Sequence, residues 1–157
     1  MNVYLVQHGK PVSKEEDPDR PLSDRGKDDV GKMANFLKKT GIRVQAVFHS
    51  GKTRSKQTAE IMINGLNPGG ELLKKTGLSP LDDVKAIADE IKQGQNDFMI
   101  VGHLPHLARL TSFLTTGSEF NSVVSFQQGG VVCLRPAANH GMWTIAWMLV
   151  PEIVTFS

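Results

Sequence analysis

Apolar residues along the chain switch between two periods. Short unbroken runs occur at Val3–Val6, Ala46–Phe48 and Phe98–Val101, the pattern of strands covered on both faces. Between them the apolar positions recur at helical spacing. Val30, Met33, Ala34 and Leu37 form one such stripe, Ala59, Met62 and Ile63 a second. Val84, Ile87, Ala88 and Ile91 form a third, and Leu107, Leu110 and Leu114 a fourth. Punctuation residues bound these helices. Ser23 is a good N-cap for the first, and Gly41 follows its last turn. Thr53 is the expected cap of the second, which should stop before Gly65. Gly94 ends the third, and Pro105 suits the first turn of the fourth. Leu72 and Leu73 mark a weaker extended segment. The charged stretch Ser13–Pro21, with two prolines, reads as a surface loop.

The last forty residues change character. Val123–Phe126, Val131–Leu134 and Trp143–Leu149 read as strands, with turns at Gly129-Gly130 and at Asn139-His140-Gly141. His140 is thus expected as a turn residue. Trp143, Ile145, Trp147 and Leu149 alternate, so the pattern predicts that all four face one core layer. The order of elements implies an α/β three-layer sandwich: a mainly parallel, doubly wound sheet with helices on both faces. No repeat or linker interrupts it, so residues 1–157 are expected to form one domain.

Composition narrows the class. With 39% hydrophobic and 22% charged residues the chain has a globular composition. A net charge of +2, from 18 basic and 16 acidic residues spread along the chain, argues against nucleic-acid or membrane-surface partners. The lone Cys133 sits in an apolar run and reads as a buried strand residue, excluding an internal disulfide. The N-terminus has neither a basic leader nor a long apolar stretch, and a cytoplasmic protein is expected.

In a doubly wound sheet, ligands bind beyond the carboxyl ends of the strands. That rule gathers three loops into one expected site: residues 7–10, 49–54 and 102–106. His8 and His103 each directly follow a buried strand, and Arg54 lies near a helix start. A helix N-terminus favours a phosphate, and arginine adds a bidentate contact. An imidazole can attack phosphorus covalently, while a second, protonated one can hold charge on the equatorial oxygens. His103 and His106 are close enough in sequence to suggest a metal pair. They lack a nearby carboxylate or cysteine, so no metal is expected.

Four segments, in order, resemble the histidine phosphatase superfamily, and within it the small SixA-type phosphohistidine phosphatases. Val3-Tyr4-Leu5-Val6-Gln7-His8-Gly9 resembles the family's strand followed by Arg-His-Gly. Arg20-Pro21-Leu22-Ser23 with Gly26 resembles its Arg-Pro-Leu-Thr segment. Ser50, Arg54, Gln57, Thr58 and Ala59 match its Ser-x-x-x-Arg-x-x-Gln-Thr-Ala segment, and Val101-Gly102-His103 its second-histidine motif. The resemblance implies a phosphoglycerate mutase-like fold with His8 as the phosphorylated nucleophile. It implies that Arg54 and His103 bind the phosphoryl group, and that no metal or organic cofactor is needed. The implied substrates are phosphohistidine in a partner protein or small phosphomonoesters.

Gln7 stands where the family has arginine. Its amide can still donate to phosphate, and Ser50 is a further expected contact. Lys10, Lys52 and His49 lie in the same loops as sources of replacement charge. Asp82 and Asp83, before the third helix, are the expected acids, or else caps of that helix. A second reading, a phosphate-binding or protein-binding relative without catalysis, rests on Gln7.

Overall fold

The computed structural model describes residues 1–138 and 141–154. Its strands are β1 (Val3–Gln7), β2 (Ala46–His49), β3 (Glu71–Lys74), β4 (Phe98–Gly102), β5 (Val131–Pro136) and β6 (Trp143–Leu149). Its helices are α1 (Asp24–Lys39), α2 (Thr53–Leu66), α3 (Lys85–Gln93) and α4 (His106–Thr116), followed by a 3₁₀ turn at Pro151–Ile153. All six strands form one sheet in the order β3-β2-β4-β1-β5-β6. The first four of that order run parallel, and β5 and β6 close the sheet antiparallel.

Alternation along each strand divides the core into two layers. Tyr4, Val6, Val47, Met99, Val101 and Cys133 face α1 and α2, where they meet Met33, Leu37, Ala59 and Met62. Val3, Leu5, Ile100, Val132 and Leu134 face α3 and α4, against Ile87, Ile91, Leu107, Leu110 and Leu114. The three-layer α/β arrangement expected from the periodicities is therefore the one observed. Cys133 is a buried, free thiol on β5, as expected.

Several local expectations are corrected. Val123–Phe126 is not a strand. It joins no ladder of the sheet. Its apolar residues serve packing instead, with Phe126 and Val124 set into the α3/α4 layer. Trp143, Ile145, Trp147 and Leu149 do not share one layer. The β5–β6 register shifts between Cys133 and Leu134, which pair with Trp147 and Ile145 and leave Ala146 as the extra residue. One extra residue inverts the alternation. Trp143 and Ile145 consequently join the α3/α4 layer, and Trp147 and Leu149 pack on the α1/α2 layer.

The caps differ in detail. Ser23 accepts the Gly26 N–H at 3.0 Å as the N-cap of α1, and Gly41 follows the helix with φ +83°. Lys52, not Thr53, is the N-cap of α2, and Pro105 is the N-cap of α4 rather than a residue of its first turn. Lys52 makes no side-chain cap bond, and the Ser50 and Ser55 hydroxyls accept the N–H groups of Lys52 and Ser50, which precede the helix. Gly94 caps α3 as expected. The expected turn at Asn139-His140 lies outside the described residues.

Gly65 lies inside α2 rather than ending it. A Cβ there would come 2.9 Å from the Ala34 Cβ, so the glycine permits the close crossing of α1 and α2. Gly31, within α1, has nothing within 4 Å of its Cβ position. We expect Gly65→Val to destabilise the fold by about 1–3 kcal/mol through overpacking. Gly31→Ala should stabilise it by about 0.5–1 kcal/mol through helix propensity. Urea unfolding of both variants measures the pair, and equal effects at the two positions would contradict this packing.

Candidate functional site

The carboxyl ends of β1, β2 and β4 bring the three expected loops together. His8 follows β1, and its backbone N–H donates to Gly102 O at 3.1 Å. The β1 exit is held from the other side by Gly129, whose N–H reaches Gln7 O at 2.9 Å. The His8 and His103 rings then lie 5.1 Å apart, centroid to centroid, tilted by 52°. His8 keeps 7% of its exposure and His103 1%.

The first turns of α2 hold this arrangement. The Thr58 hydroxyl accepts the Gly9 N–H at 3.0 Å and donates to Arg54 O at 2.8 Å. The Ser55 hydroxyl accepts the Ser50 N–H at 3.1 Å and donates to Val101 O at 2.8 Å. Gln57 Oε1 accepts the Leu22 N–H at 2.6 Å. Three side chains of one helix thus fix the loops after β1 and β2, the end of β4 and the segment before α1. Ser55 carried no signal in the sequence, because a buried serine is recognised only once its two backbone partners are known. Ser23 N–H and Oγ–H both donate to Lys10 O, at 2.9 and 2.8 Å. A Cβ at Gly26 would lie 2.2 Å from that same oxygen, which is why the segment needs glycine.

Each histidine is oriented through one ring nitrogen. His8 Nδ1 lies 2.7 Å from Gly9 O. A carbonyl only accepts, so Nδ1 carries the proton and the neutral ring leaves a lone pair on Nε2. His103 Nε2 bonds Ser50 Oγ at 2.7 Å, and its Nδ1 is buried without a partner. Ser50 Oγ also accepts the Lys52 N–H at 3.3 Å. Ser50 thus orients His103. Arg54 Nε is likewise buried without a partner.

Burial, more than any charge, lowers the pKa of His8 to about 4, against the opposing Gly9 bond, with Arg54 and Arg20 adding to the fall. Burial again leads for His103, brought to about 3, with His8, Arg54, Lys52 and His106 contributing. Arg54 is also lowered by burial and by Arg20. The neighbours acting on the histidine pair are therefore cationic or imidazole groups. Such a cluster at a sheet's carboxyl edge suits an anion.

The remaining expected residues fall elsewhere. Gln7 Oε1 is buried with no partner, and its amide brings no charge. Lys10 is exposed and lines a neighbouring cleft of about 300 Å³ with Arg25, Asp29 and Lys32. His49 Nδ1 accepts the Gly51 N–H at 3.0 Å, and burial lowers its pKa among Lys56, Glu60 and Lys74. It closes a turn as a neutral ring and supplies no charge. Lys52 is the one of the three whose charge reaches His103. Asp82 Oδ2 accepts the Ser79 N–H at 2.9 Å, and Asp83 Oδ1 the Lys85 N–H at 3.0 Å, so both shape the entry to α3. Their charges act on the fully buried His106. Among the described residues, no group of three or more His, Cys, Asp or Glu is placed to hold a metal ion. No described helix is long and apolar enough to cross a membrane.

A doubly wound sheet whose carboxyl edge pairs two neutral histidines with unpaired arginine is suited to an anionic group such as a phosphoryl. Residues 3–82 match the histidine phosphatase superfamily (branch 1). The chain belongs to that family, and its enzyme class is that of the histidine-nucleophile phosphatases. It is 28% identical over 122 residues to the phosphohistidine phosphatase SixA of Escherichia coli (strain K12), covering 74% of this chain and 76% of that one. A structure of the protein histidine phosphatase SixA complexed with tungstate aligns with TM-score 0.86 and 24% identity, over 99% of this chain and 100% of that one. A putative alpha-ribazole-5'-P phosphatase from Escherichia coli aligns with TM-score 0.77 and 15% identity, over 99% and 100%.

The pKa shifts carry a sign. A histidine whose pKa is lower folded than unfolded takes up its proton first in the unfolded chain. Its stabilisation is full above about 6.5 and is lost as pH falls toward 4. We expect folding stability to drop steadily across that window, followed by urea unfolding at each pH. Ring ¹⁵N shifts should show His8 still neutral at pH 5. Titration of His8 near 6.5 would contradict the burial of this site.

Proposed function

We propose that this chain removes the phosphoryl group from phosphohistidine on a protein, through a covalent intermediate on His8. His8 Nε2 forms the new P–N bond as the bond from phosphorus to the substrate imidazole breaks. That imidazole, protonated beforehand, departs neutral. His8 becomes a phosphorylated imidazolium, its Nδ1–H still held by Gly9 O. Water then attacks phosphorus, inorganic phosphate leaves with both water protons, and His8 returns to neutral. Arg54 and protonated His103 bind the equatorial oxygens, whose charge returns to His103 the proton affinity that burial removed.

The observation that carries this reading is the set of charges around the two rings. The carboxylates expected as acids, Asp82 and Asp83, are spent on backbone N–H groups and act on His106. A leaving alcohol would need a proton from such a group, whereas a leaving imidazole arrives with its own. The likeness to a phosphohistidine phosphatase supports the same choice.

The test compares a phosphohistidine protein with an alkyl phosphomonoester. Without a general acid, turnover of the alkyl ester should be lower by about 10²–10⁴-fold. Aryl phosphates, with better leaving groups, should fall between. His8→Ala should abolish turnover of all three. Comparable rates on the alkyl ester would sink the phosphohistidine assignment, and turnover surviving in His8→Ala would sink the nucleophile. Phosphate binding without turnover on any substrate would favour a non-catalytic phosphate-binding role.

A further inference from the structure

We propose that Arg20 is the second phosphoryl-binding arginine of this site, supplying from the loop before α1 the charge that Gln7 lacks at the end of β1. The inference rests on the phosphoryl reading above and adds a residue to it. Arg20 is the only non-glycine described residue with a left-handed backbone, at φ +48°. Side chains beyond Asn and Asp avoid that region unless their surroundings impose it. Here they do. The Arg20 N–H donates to Asp17 O at 3.0 Å, and the Val12 N–H to Pro21 O at 2.8 Å. Pro11 and Leu22 form an isolated antiparallel bridge. The Leu22 N–H is taken by Gln57, one turn beyond Arg54 on α2.

These bonds anchor Arg20 to the two elements that carry His8 and Arg54. Leu22 reaches the Gly9 position itself, where a Cβ would meet its Cδ2 at 3.2 Å. The Arg20 Nε donates to Val12 O at 3.2 Å. Its two terminal amino groups make no hydrogen bond among the described residues. No described carboxylate pairs with it. The neighbouring Asp17 carboxylate accepts the Asp19 N–H instead. A half-buried guanidinium, fixed at Nε and free at its fork, is oriented to take two oxygens of an anion. Its field reaches the reacting groups, since Arg20 lowers the pKa of both His8 and Arg54. Gln7, by contrast, brings an unpaired acceptor oxygen.

Calorimetric titration with tungstate tests this on the whole chain as wild type, Arg20→Gly, Gln7→Arg and the double variant. Glycine adopts the left-handed backbone freely, so Arg20→Gly should melt no lower than wild type. It should bind tungstate about tenfold more weakly or worse, the weight of one charged hydrogen bond. Adding Gln7→Arg should restore binding to within about threefold of wild type. Restoration by an arginine on a different strand would not follow from a merely structural Arg20. Should Arg20→Gly not fold, Arg20→Asn, whose side chain tolerates the left-handed region, carries the same expectation for tungstate. Wild-type affinity in Arg20→Gly, or no rescue by Gln7→Arg, overturns the assignment of Arg20. Failure of the wild type to bind tungstate overturns the phosphoryl reading itself, a distinguishable result.

Discussion

The Thr58 hydroxyl takes the Gly9 N–H and gives its own proton to the Arg54 carbonyl. Through it the loop that presents His8 and the helix turn that presents Arg54 become one unit. Ser55 and Gln57 extend the same clasp to β4, to the Ser50 loop and to Leu22. Buried polar groups must find partners, and each of these side chains meets that demand by bonding backbone from another element. The clasp explains why the motif around Arg54 needs its hydroxyl and amide residues. They assemble the site, and Arg54 is the one member of the motif left with unmet donors.

A site so assembled concentrates groups that repel one another. Arg20 lowers the pKa of Arg54 and both arginines lower that of His8, while burial leads in keeping both histidines neutral. No described acid relieves the cluster. An anion placed among these groups would offset their mutual repulsion, because each cation attracts it. The lowered pKa of His103 is therefore a property of the anion-free protein, and the same ring becomes a better proton holder beside phosphate. The Gly9 carbonyl acts differently. It fixes the His8 tautomer and leaves the Nε2 lone pair free for the proposed attack.

The departure at Gln7 shows how a charge in such a site can be judged by position rather than by motif. Lys10, adjacent in sequence, turns into a neighbouring cleft. His49, in the right loop, is spent on a turn. Arg20, twelve residues from His8, has its loop tied to the segment after β1 by a bridge between Pro11 and Leu22 and to α2 by Gln57, and its charge acts on His8. Sequence proximity alone would have put Lys10 first.

Periodicity alone determined the layers of this protein. Helical stripes and short apolar runs identify four helices and the central strands, because burial on one face or on both leaves a period that needs no partner to be recognised. His8, Arg54 and His103 were legible for a related reason: each follows a strand or opens a helix, and a parallel sheet collects such ends on one edge. Tertiary structure decided what depends on a partner. Val123–Phe126 has strand composition but joins no ladder, and its apolar residues pack on the α3/α4 layer instead. A one-residue bulge splits Trp143 and Trp147 between two cores. Gly65, read as a stop, is a contact with Ala34 across two helices. The assignments of Ser55, Asp82, Asp83 and Arg20 likewise rest on which backbone groups and charges lie opposite them. Hydrogen bonds and electrostatic fields act between elements distant in sequence, and local pattern carries no record of them.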